Sequence, residues 1–431
     1  MKRVFVFLMV IFATLNVGAA TLINDTEIER GIAKIIAPVA NAANIPNDRL
    51  KIYIVRDDDF NAFVRGGEDI FIYTGLLKQI KSPNALRAVI AHELGHTIGG
   101  HMVQIADRQR AEMMRTMIIQ ALGVGLMVSG GNPTAGVGVL AGSTGIAQQS
   151  MLSFTRDEER IADDFAVDLM VTANENPNGL IEVFEQMRDM HGAFESSVNP
   201  NRINHPLTSE RLNNTKTKIK GLKNIPTKSA EKIASENTEY DILRAKLIGY
   251  LDQEKNILTV YPYSNKSDAA IYARAIANMR GGNLDIAKTG TQTLIARHPK
   301  SPYFYELLGD ITYQYGYFDD SVDAYEQSLK LIDDAPQIET ALALALSERN
   351  KNDDKTRARE LCKHVVLTTP TPLAYWILAR VTENGESDWA MAEFYKMNGD
   401  SENARKYAKL AQKKSKKGSP EYIKSGDILK K

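Results

Sequence analysis

A five-residue motif, His92-Glu93-Leu94-Gly95-His96, constrains this chain more than any other feature. On a helix, residues i and i+4 project from one face, so both imidazoles can bind one metal ion while Glu93 faces a water on that ion. Only seven histidines occur in 431 residues, and two of them fall at this spacing around an acid. An ordinary amphipathic helix is the alternative interpretation. We predict a site for one Zn²⁺ per chain, with His92 and His96 as ligands and Glu93 as the catalytic base.

The third metal ligand has to come from another part of the chain, because a tetrahedral catalytic zinc takes three protein ligands and one water. A metzincin would need a histidine six residues after His96, where this chain has Met102. A downstream acidic segment with apolar residues at helical spacing offers a glutamate instead. We predict Glu159 as the third ligand, with Glu158 as its rival and a solvated acidic helix start as the alternative. Asp163 would accept the spare ring N–H of a ligating histidine.

Together these motifs resemble the gluzincin peptidase family, which includes the CAAX prenyl protease, the mitochondrial Oma-type proteases and the periplasmic β-barrel assembly-enhancing proteases. Asn61-Ala62-Phe63 and the His205-Pro206 pair followed by Arg211 agree with that family, and the match covers about residues 25 to 215. The resemblance implies an α+β zincin-like metalloprotease domain and places the loop of His205 near the cleft. There His205 could act in catalysis by donating to the oxyanion, or bind zinc in its fourth position and shut the enzyme. A turn cap before Pro206 is the alternative.

Two β-branched stretches, Leu50–Arg56 and Ile70–Tyr73, predict strands of a small antiparallel sheet before the metal motif. An edge strand beside a zinc cleft can pair with an extended peptide through backbone hydrogen bonds. Arg211 is expected to hold the loop of His205 or a substrate carbonyl. The predicted substrate-binding residues are therefore Ile70, Phe71, Ile72, Tyr73 and Arg211. Phe71 and Tyr73 could instead cover the core, and both roles are compatible because alternate residues face opposite sides.

The first twenty residues predict export. Lys2 and Arg3 precede an apolar run over 4–13, and small residues at 17–20 offer a cleavage site, as in a secretory signal peptide. An uncleaved anchor is the alternative, although the run is short for a bilayer span of ~20 residues. No cysteine follows the run, which excludes a lipoprotein anchor, and the single cysteine, Cys362, excludes an internal disulfide. We predict a periplasmic location.

Residues 117–151 are rich in glycine and aliphatic side chains and predict a helical hairpin. Such a hairpin could make peripheral contact with a membrane surface, cover the active-site edge, bind a partner, or pack internally. An integral membrane protease that uses this segment is a weaker alternative.

The second half of the chain predicts an all-α tetratricopeptide-repeat solenoid. Past residue 215 the sequence is rich in Lys, Asn, Ser and Glu. A repeat of 34 residues then fits four units. In one unit the expected small, small, large and proline residues are Ala275, Ala287, Leu294 and Pro299. The predicted boundaries are a signal peptide at 1–20, a metallopeptidase domain at 21–215, a linker at 216–238, repeats at 239–417 and a tail at 418–431. A solenoid of this kind holds a peptide or protein partner.

These expectations combine into a periplasmic zinc metalloendopeptidase with a repeat domain for docking substrates or an assembly machine. Cleavage of misfolded or stalled outer-membrane β-barrel proteins, and contact with the β-barrel assembly machinery, are implied by the resemblance. The competing hypothesis is a chaperone or scaffold in which the repeats carry the function and the zinc site is latent. Balanced charge, with 53 basic and 53 acidic residues, implies no nucleic-acid partner.

Overall fold

A computed structural model describes residues 15–17, 20–46, 49–65, 69–99, 156–194, 205 and 208–430. It divides into two compact units. The central unit is Gly31–Tyr240, and the repeat unit joins Met1–Arg30 to Asp241–Lys431. Among the residues described, no helix combines the length and the apolar composition that crossing a membrane requires. The hairpin predicted for 117–151 lies outside the described residues.

Strands and helices alternate with short connections in the described part of the chain up to residue 220. They are β1 (Leu15–Val17), β2 (Ala20–Ile23), α1 (Thr26–Ala42), β3 (Lys51–Arg56), β4 (Ala62–Arg65), β5 (Asp69–Tyr73), α2 (Thr74–Gln79), α3 (Pro83–Ile98), α4 (Arg156–Thr172), α5 (Asn178–Phe194) and α6 (Ser209–Lys220). In the central unit α3 packs against α4, α5 and β4. Aliphatic side chains of α3 and of the strands fill the core between them, as the fully buried Ile54, Ile70, Ile72, Leu86 and Ile90 show. The helix that carries the metal motif is therefore central to its unit.

The sheet of the central unit differs from the sequence prediction in two respects. β3 and β5 pair in parallel, not antiparallel, while β4 pairs antiparallel with β5. β5 therefore has hydrogen-bonded neighbours on both sides, which contradicts the expected pairing of Ile70–Tyr73 with a substrate backbone. Among the described strands β4 is the last in the order of the sheet. Strand order depends on contacts between distant segments, which a local alternation pattern does not encode.

Aromatic side chains form a row across the outer face of these strands. The ring of Phe71 stacks between Tyr53, with centroids 4.7 Å apart, and Phe63, at 4.6 Å. Phe71 and Tyr73 are half-buried, whereas Ile70 and Ile72 point into the core. One face of this strand therefore packs in the core, and the other packs within the row of aromatic rings.

The repeat unit is all-α over its described residues after 240. Its helices are α7 (Ala230–Leu251, which begins in the central unit), α8 (Glu254–Val260), α9 (Asp268–Arg280), α10 (Leu284–Arg297), α11 (Pro302–Tyr315), α12 (Phe318–Leu329), α13 (Pro336–Arg349), α14 (Asp354–Thr368), α15 (Pro372–Val381), α16 (Asn384–Met397), α17 (Ser401–Lys414) and α18 (Pro420–Lys430). Each helix packs against the next one along the chain from α8 onward, as stacked helix pairs do. Ala275, Ala287 and Leu294, predicted from the repeat frame, are buried. The predicted solenoid is confirmed.

Helices extend into the two segments predicted as a linker and a tail. The expected linker, 216–238, contains the end of α6, a stretch without helix or strand over 221–229 and the start of α7. The expected tail, 418–431, contains α18, which packs against α16 and α17 and buries Ile428. Both segments look polar because their helices expose most of their surface. The polar composition of these two segments therefore reflects solvent exposure and does not indicate an absence of helix.

Candidate metal centre

The metal motif lies on α3, whose start is set by its capping residues. Ser82 caps the helix by accepting a hydrogen bond from the backbone N–H of Ala85 at 3.0 Å, and Pro83 occupies the first helical position. His92, Glu93 and His96 follow further along the helix and are buried. The helix thus presents both imidazoles from one face in the core of the central unit.

Gly95 allows the second ligand helix to approach. A Cβ at Gly95 would lie 3.0 Å from the backbone Cα and carbonyl oxygen of Ala162 on α4. That contact is tighter than most real Cβ contacts, so only glycine fits here without a shift of α4. The close approach brings Glu159 and Asp163, one on each side of Ala162, up to the histidines of α3.

Four side chains converge on one point. The ligand atoms of His92, His96, Glu159 and His205 all lie within 4.8 Å of one another. The Nε2 atoms of His92 and His96 are 3.1 Å apart, and each lies 3.5 Å from an oxygen of Glu159. His205 Nδ1 lies 3.4 Å from His92 Nε2 and 2.7 Å from Glu159 Oε1.

These separations fit a tetrahedral zinc ion. Zinc–nitrogen bonds of about 2.0–2.1 Å place the corners of a regular tetrahedron about 3.3 Å apart. With Glu159 Oε1 as the carboxylate donor, the His92–His96, His92–His205 and His96–Glu159 separations fall between 3.1 and 3.5 Å, and the His205–Glu159 separation is 2.7 Å. His92 lies 3.5 Å from the other carboxylate oxygen, Oε2. Imidazole nitrogen and carboxylate oxygen are also donors that zinc accepts. The residues present therefore fit the metal that the motif predicts.

A second layer of charged groups holds the donors in place. Asp163 Oδ1 lies 2.9 Å from His92 Nδ1, at the position predicted for it. Arg211 donates from Nε and Nη2 to the two oxygens of Asp163, at 2.8 Å each, and its Nη1 lies 2.6 Å from Glu159 Oε2. The guanidinium also stacks over the ring of Phe184. Arg211 is thus buried between two acids of the site, and its expected contact with the loop of His205 or with a substrate carbonyl stays a prediction.

The electrostatics of the centre favour a cation. Burial disfavours protonated His92, but Asp163 and Glu159 outweigh burial and raise its pKa to about 10. Burial would raise the pKa of Glu159, yet its contacts with His205 and His92 hold that pKa far below the usual range. Arg211 and His92 likewise lower the pKa of Asp163 against the effect of burial. The acids remain anionic and draw positive charge toward the imidazoles.

Glu93 and His205 face each other across the donor cluster. His205 Nε2 lies 3.6 Å from Glu93 Oε1, while its other nitrogen points to Glu159. Burial raises the pKa of Glu93, and the charge of His205 opposes the rise. A carboxylate of raised pKa beside a metal is suited to accept a proton near neutral pH. The distances place Glu93 next to the metal position and outside the donor set.

Comparison with known proteins agrees with this geometry. Residues 26–219 match the model of Peptidase family M48. The part of the chain that carries the metal centre is thus similar to the peptidases of this family. The resemblance to the gluzincin family that the motifs indicated is therefore confirmed. Glu158, the rival to Glu159, is also buried on α4 but is not a member of the converging donor set.

Among the relatives of this chain is the β-barrel assembly-enhancing protease of Escherichia coli (strain K12), 24% identical over 68% of this chain and 60% of that protein. Metalloprotease LoiP of the same organism is 28% identical over 43% of this chain and 70% of that protein. The chain thus spans less than two thirds of the length of the first of these relatives. The crystal structure of a thermophilic TPR protein of Thermus thermophilus covers 47% of this chain and 95% of its own, at 16% identity and a TM-score of 0.26.

Proposed function

We propose that this protein is a zinc metalloendopeptidase that acts on misfolded or stalled proteins, with His92, His96 and Glu159 as metal ligands and Glu93 as the base. The observation that carries the proposal is the placement of Glu93 beside a converging, buried donor set. A purely structural metal site has no use for a base next to its ligands. The match of residues 26–219 to the model of Peptidase family M48 supports the same reaction.

The residues divide the reaction between them. When bound, zinc lowers the pKa of a water to about 7 and polarises the scissile carbonyl. Glu93 takes the proton of the attacking water and delivers it to the leaving amine. Asp163 keeps His92 in the orientation that directs Nε2 to the metal position, and Arg211 keeps Asp163 and Glu159 in place. Catalysis and metal binding therefore depend on different residues of one cluster.

The position of His205 supports a blocking role. Its Nδ1 occupies the fourth corner of the donor set, the position that a catalytic zinc keeps for water. We infer that His205 acts as a reversible block and that a productive complex needs it displaced. This geometry favours the blocking role over donation to an oxyanion.

The substrate class and the location complete the proposal. The similarity to the β-barrel assembly-enhancing protease supports outer-membrane β-barrel proteins as substrates. The repeat unit supports docking of a substrate or of the assembly machinery. The signal-like residues 1–20 support a periplasmic location. We also propose that residues 117–151 make peripheral contact with a membrane.

Replacing Glu93 with Gln tests the assignment. The variant should keep its zinc and lose nearly all cleavage of an unfolded β-barrel protein, because the ligands remain while the base is gone. Glu185→Gln, a half-exposed acid of α5, is the matched control and should cleave normally. If Glu93→Gln digests the substrate at the normal rate, the enzyme assignment is wrong and the scaffold hypothesis takes its place.

A further inference from the structure

The first turn of α1 is held by helices of its own repeat unit. Lys246 of α7 contacts Asp25 and Glu27, and the hydroxyl of Tyr272 on α9 donates to Glu27 at 2.8 Å. Arg30 donates to the backbone carbonyls of Asp333 and Asp334 at 2.5 and 2.7 Å. The segment Asp25–Arg30 is thus bound in the manner of a short peptide.

The side chains that hold this segment share one face of the solenoid. Lys246, Tyr272 and Gln337, which contact the segment, and Glu306, which pairs with Lys246, lie on α7, α9, α13 and α11. Each of these is the first helix of its pair, and stacking repeats places the first helices side by side. Solenoids use such continuous surfaces to bind extended partners. Part of this surface is therefore occupied by the protein itself.

The docking site contains more buried acid than base. The Lys246 ammonium, 1% exposed, lies 2.8 Å from Asp25, 3.1 Å from Glu27 and 3.3 Å from Glu306. Asp310, one turn along α11, accepts hydrogen bonds from Tyr325 at 2.6 Å and from Tyr250 at 3.3 Å. One ammonium cannot neutralise four buried carboxylates, and an uncompensated buried anion is very unfavourable.

Protonation of buried carboxyl groups removes this excess negative charge. Burial raises the pKa of Glu306 to about 8 and that of Asp310 to about 7, although Lys246 opposes both shifts. Burial also raises the pKa of Glu27. The charged and titratable groups facing the site from every element packed on it are Asp25, Glu27, Glu29, Arg30, Lys246, Tyr250, Tyr272, Tyr303, Glu306, Asp310 and Tyr325.

We propose that this face of the repeats is a peptide-binding site whose occupant is the chain's own segment Asp25–Arg30, and that docking of the segment takes up at least one proton. Raising the pH removes that proton and loosens the segment. The inference rests on the repeat unit alone and is independent of the proposed peptidase activity. A partner peptide of the same chemistry, with acids beside a helix start and a following arginine, would compete for the freed face.

Hydrogen exchange of the full chain gives a direct readout. Asp25 caps α1: its Oδ1 accepts from the N–H of Ile28 and its carbonyl from the N–H of Glu29, at 2.9 Å each. Protection factors of Ile28, Glu29 and Arg30, corrected for the intrinsic rate at each pH, should fall between about pH 6 and 9. One released proton corresponds to a decrease of at most about tenfold per pH unit.

Two variants separate proton uptake from simple packing. Glu306→Gln imitates the protonated acid and should make the fall in protection of 28–30 between pH 6 and 9 less steep than in the wild type, because Glu29 and Asp310 still titrate. Lys246→Met removes the buried cation and should reduce protection of 28–30 at every pH, while α15 and α16 stay protected. The matched controls are Glu348→Gln and Lys351→Met, which alter exposed pairs and should behave as the wild type.

Three results would overturn the proton-linked docking of the segment. The first is a wild-type protection factor that stays constant from pH 6 to 9, which requires no variant to fold. The second is an equally steep pH dependence in Glu306→Gln, and the third is full protection of 28–30 in Lys246→Met. The peptide-site part is tested with a synthetic peptide of residues 22–33 added to the full chain at pH 9. It should lower protection of 28–30 further, and no change with excess peptide would contradict competition for that face.

Discussion

At the scale of single residues, the metal centre depends on a few side chains with separate roles. In the proposed centre His92, His96 and Glu159 supply the donor atoms, while Arg211 pairs with Asp163 and Glu159. The spacing of the histidines was predictable because helical periodicity alone puts i and i+4 on one face. The bracing role of Arg211 was not, since it arises from contacts between helices that are far apart in sequence. An arginine shortly after a predicted ligand was the available signal.

His205 provides the residue-scale prediction. His205→Ala should cleave an unfolded protein several times faster than the wild type, because the fourth corner of the donor set opens to water. Zinc content should stay near one per chain, since three ligands remain. His364→Ala, which alters an exposed histidine paired with Glu339, is the control. Turnover that drops along with zinc content would show that His205 is a required ligand and not a block.

At the scale of elements, patterns within one segment were predictable and pairing between segments was not. The period of α3 and the acids of α4 indicated the ligand helices, and the 34-residue frame indicated the helix pairs. The direction of β3 against β5, and the position of β5 between two strands, follow from long-range pairing that alternation does not record. The helical character of 420–430 was hidden because α18 buries few side chains.

Gly309 tests the packing within one helix pair. A Cβ at Gly309 of α11 would lie 2.5 Å from the ring of Tyr325 on α12, so Gly309→Ala should destabilise the fold by about 1–3 kcal/mol through overpacking. Gly290→Ala is the control: its Cβ would meet Ala275 at 3.4 Å, an ordinary contact. That variant should stabilise α10 by about 0.5–1 kcal/mol, since alanine favours helix. Urea unfolding measures both. Equal effects would show that Tyr325 adapts at no cost.

At the scale of the whole molecule, buried ionisable groups make stability depend on pH, some of them as the pH rises and others as it falls. The pKa values of Glu306 and Asp310 are raised to about 8 and about 7 in the folded chain. At a pH between the ordinary pKa of each group and its raised pKa, the folded chain binds more protons than the unfolded chain. Their contribution is complete at low pH and is lost as the pH rises toward 8. Asp163 and Glu159 have lowered pKa values, so their contribution is lost only as the pH falls below 4.

The resulting pH profile is the whole-molecule prediction. The free energy of unfolding should decrease between pH 6 and 8, by up to about 1.4 kcal/mol per pH unit for each proton released. Asp310→Asn removes one of the raised groups and should flatten that slope. Urea titrations at fixed ionic strength give the profile, with Asp427→Asn, an exposed acid, as the control. A slope unchanged in Asp310→Asn would assign the pH dependence to other groups.

Metal analysis of the purified chain tests the central claim most directly. The account predicts one zinc per chain in the wild type, and strong loss of zinc when Glu159 is replaced by Gln, because that carboxylate is a donor of the converging set. Asp157→Asn, an exposed acid on the same helix, should keep its zinc. A wild-type chain that binds no zinc, or a Glu159→Gln chain that binds it as tightly as the wild type, would contradict the proposed metal centre.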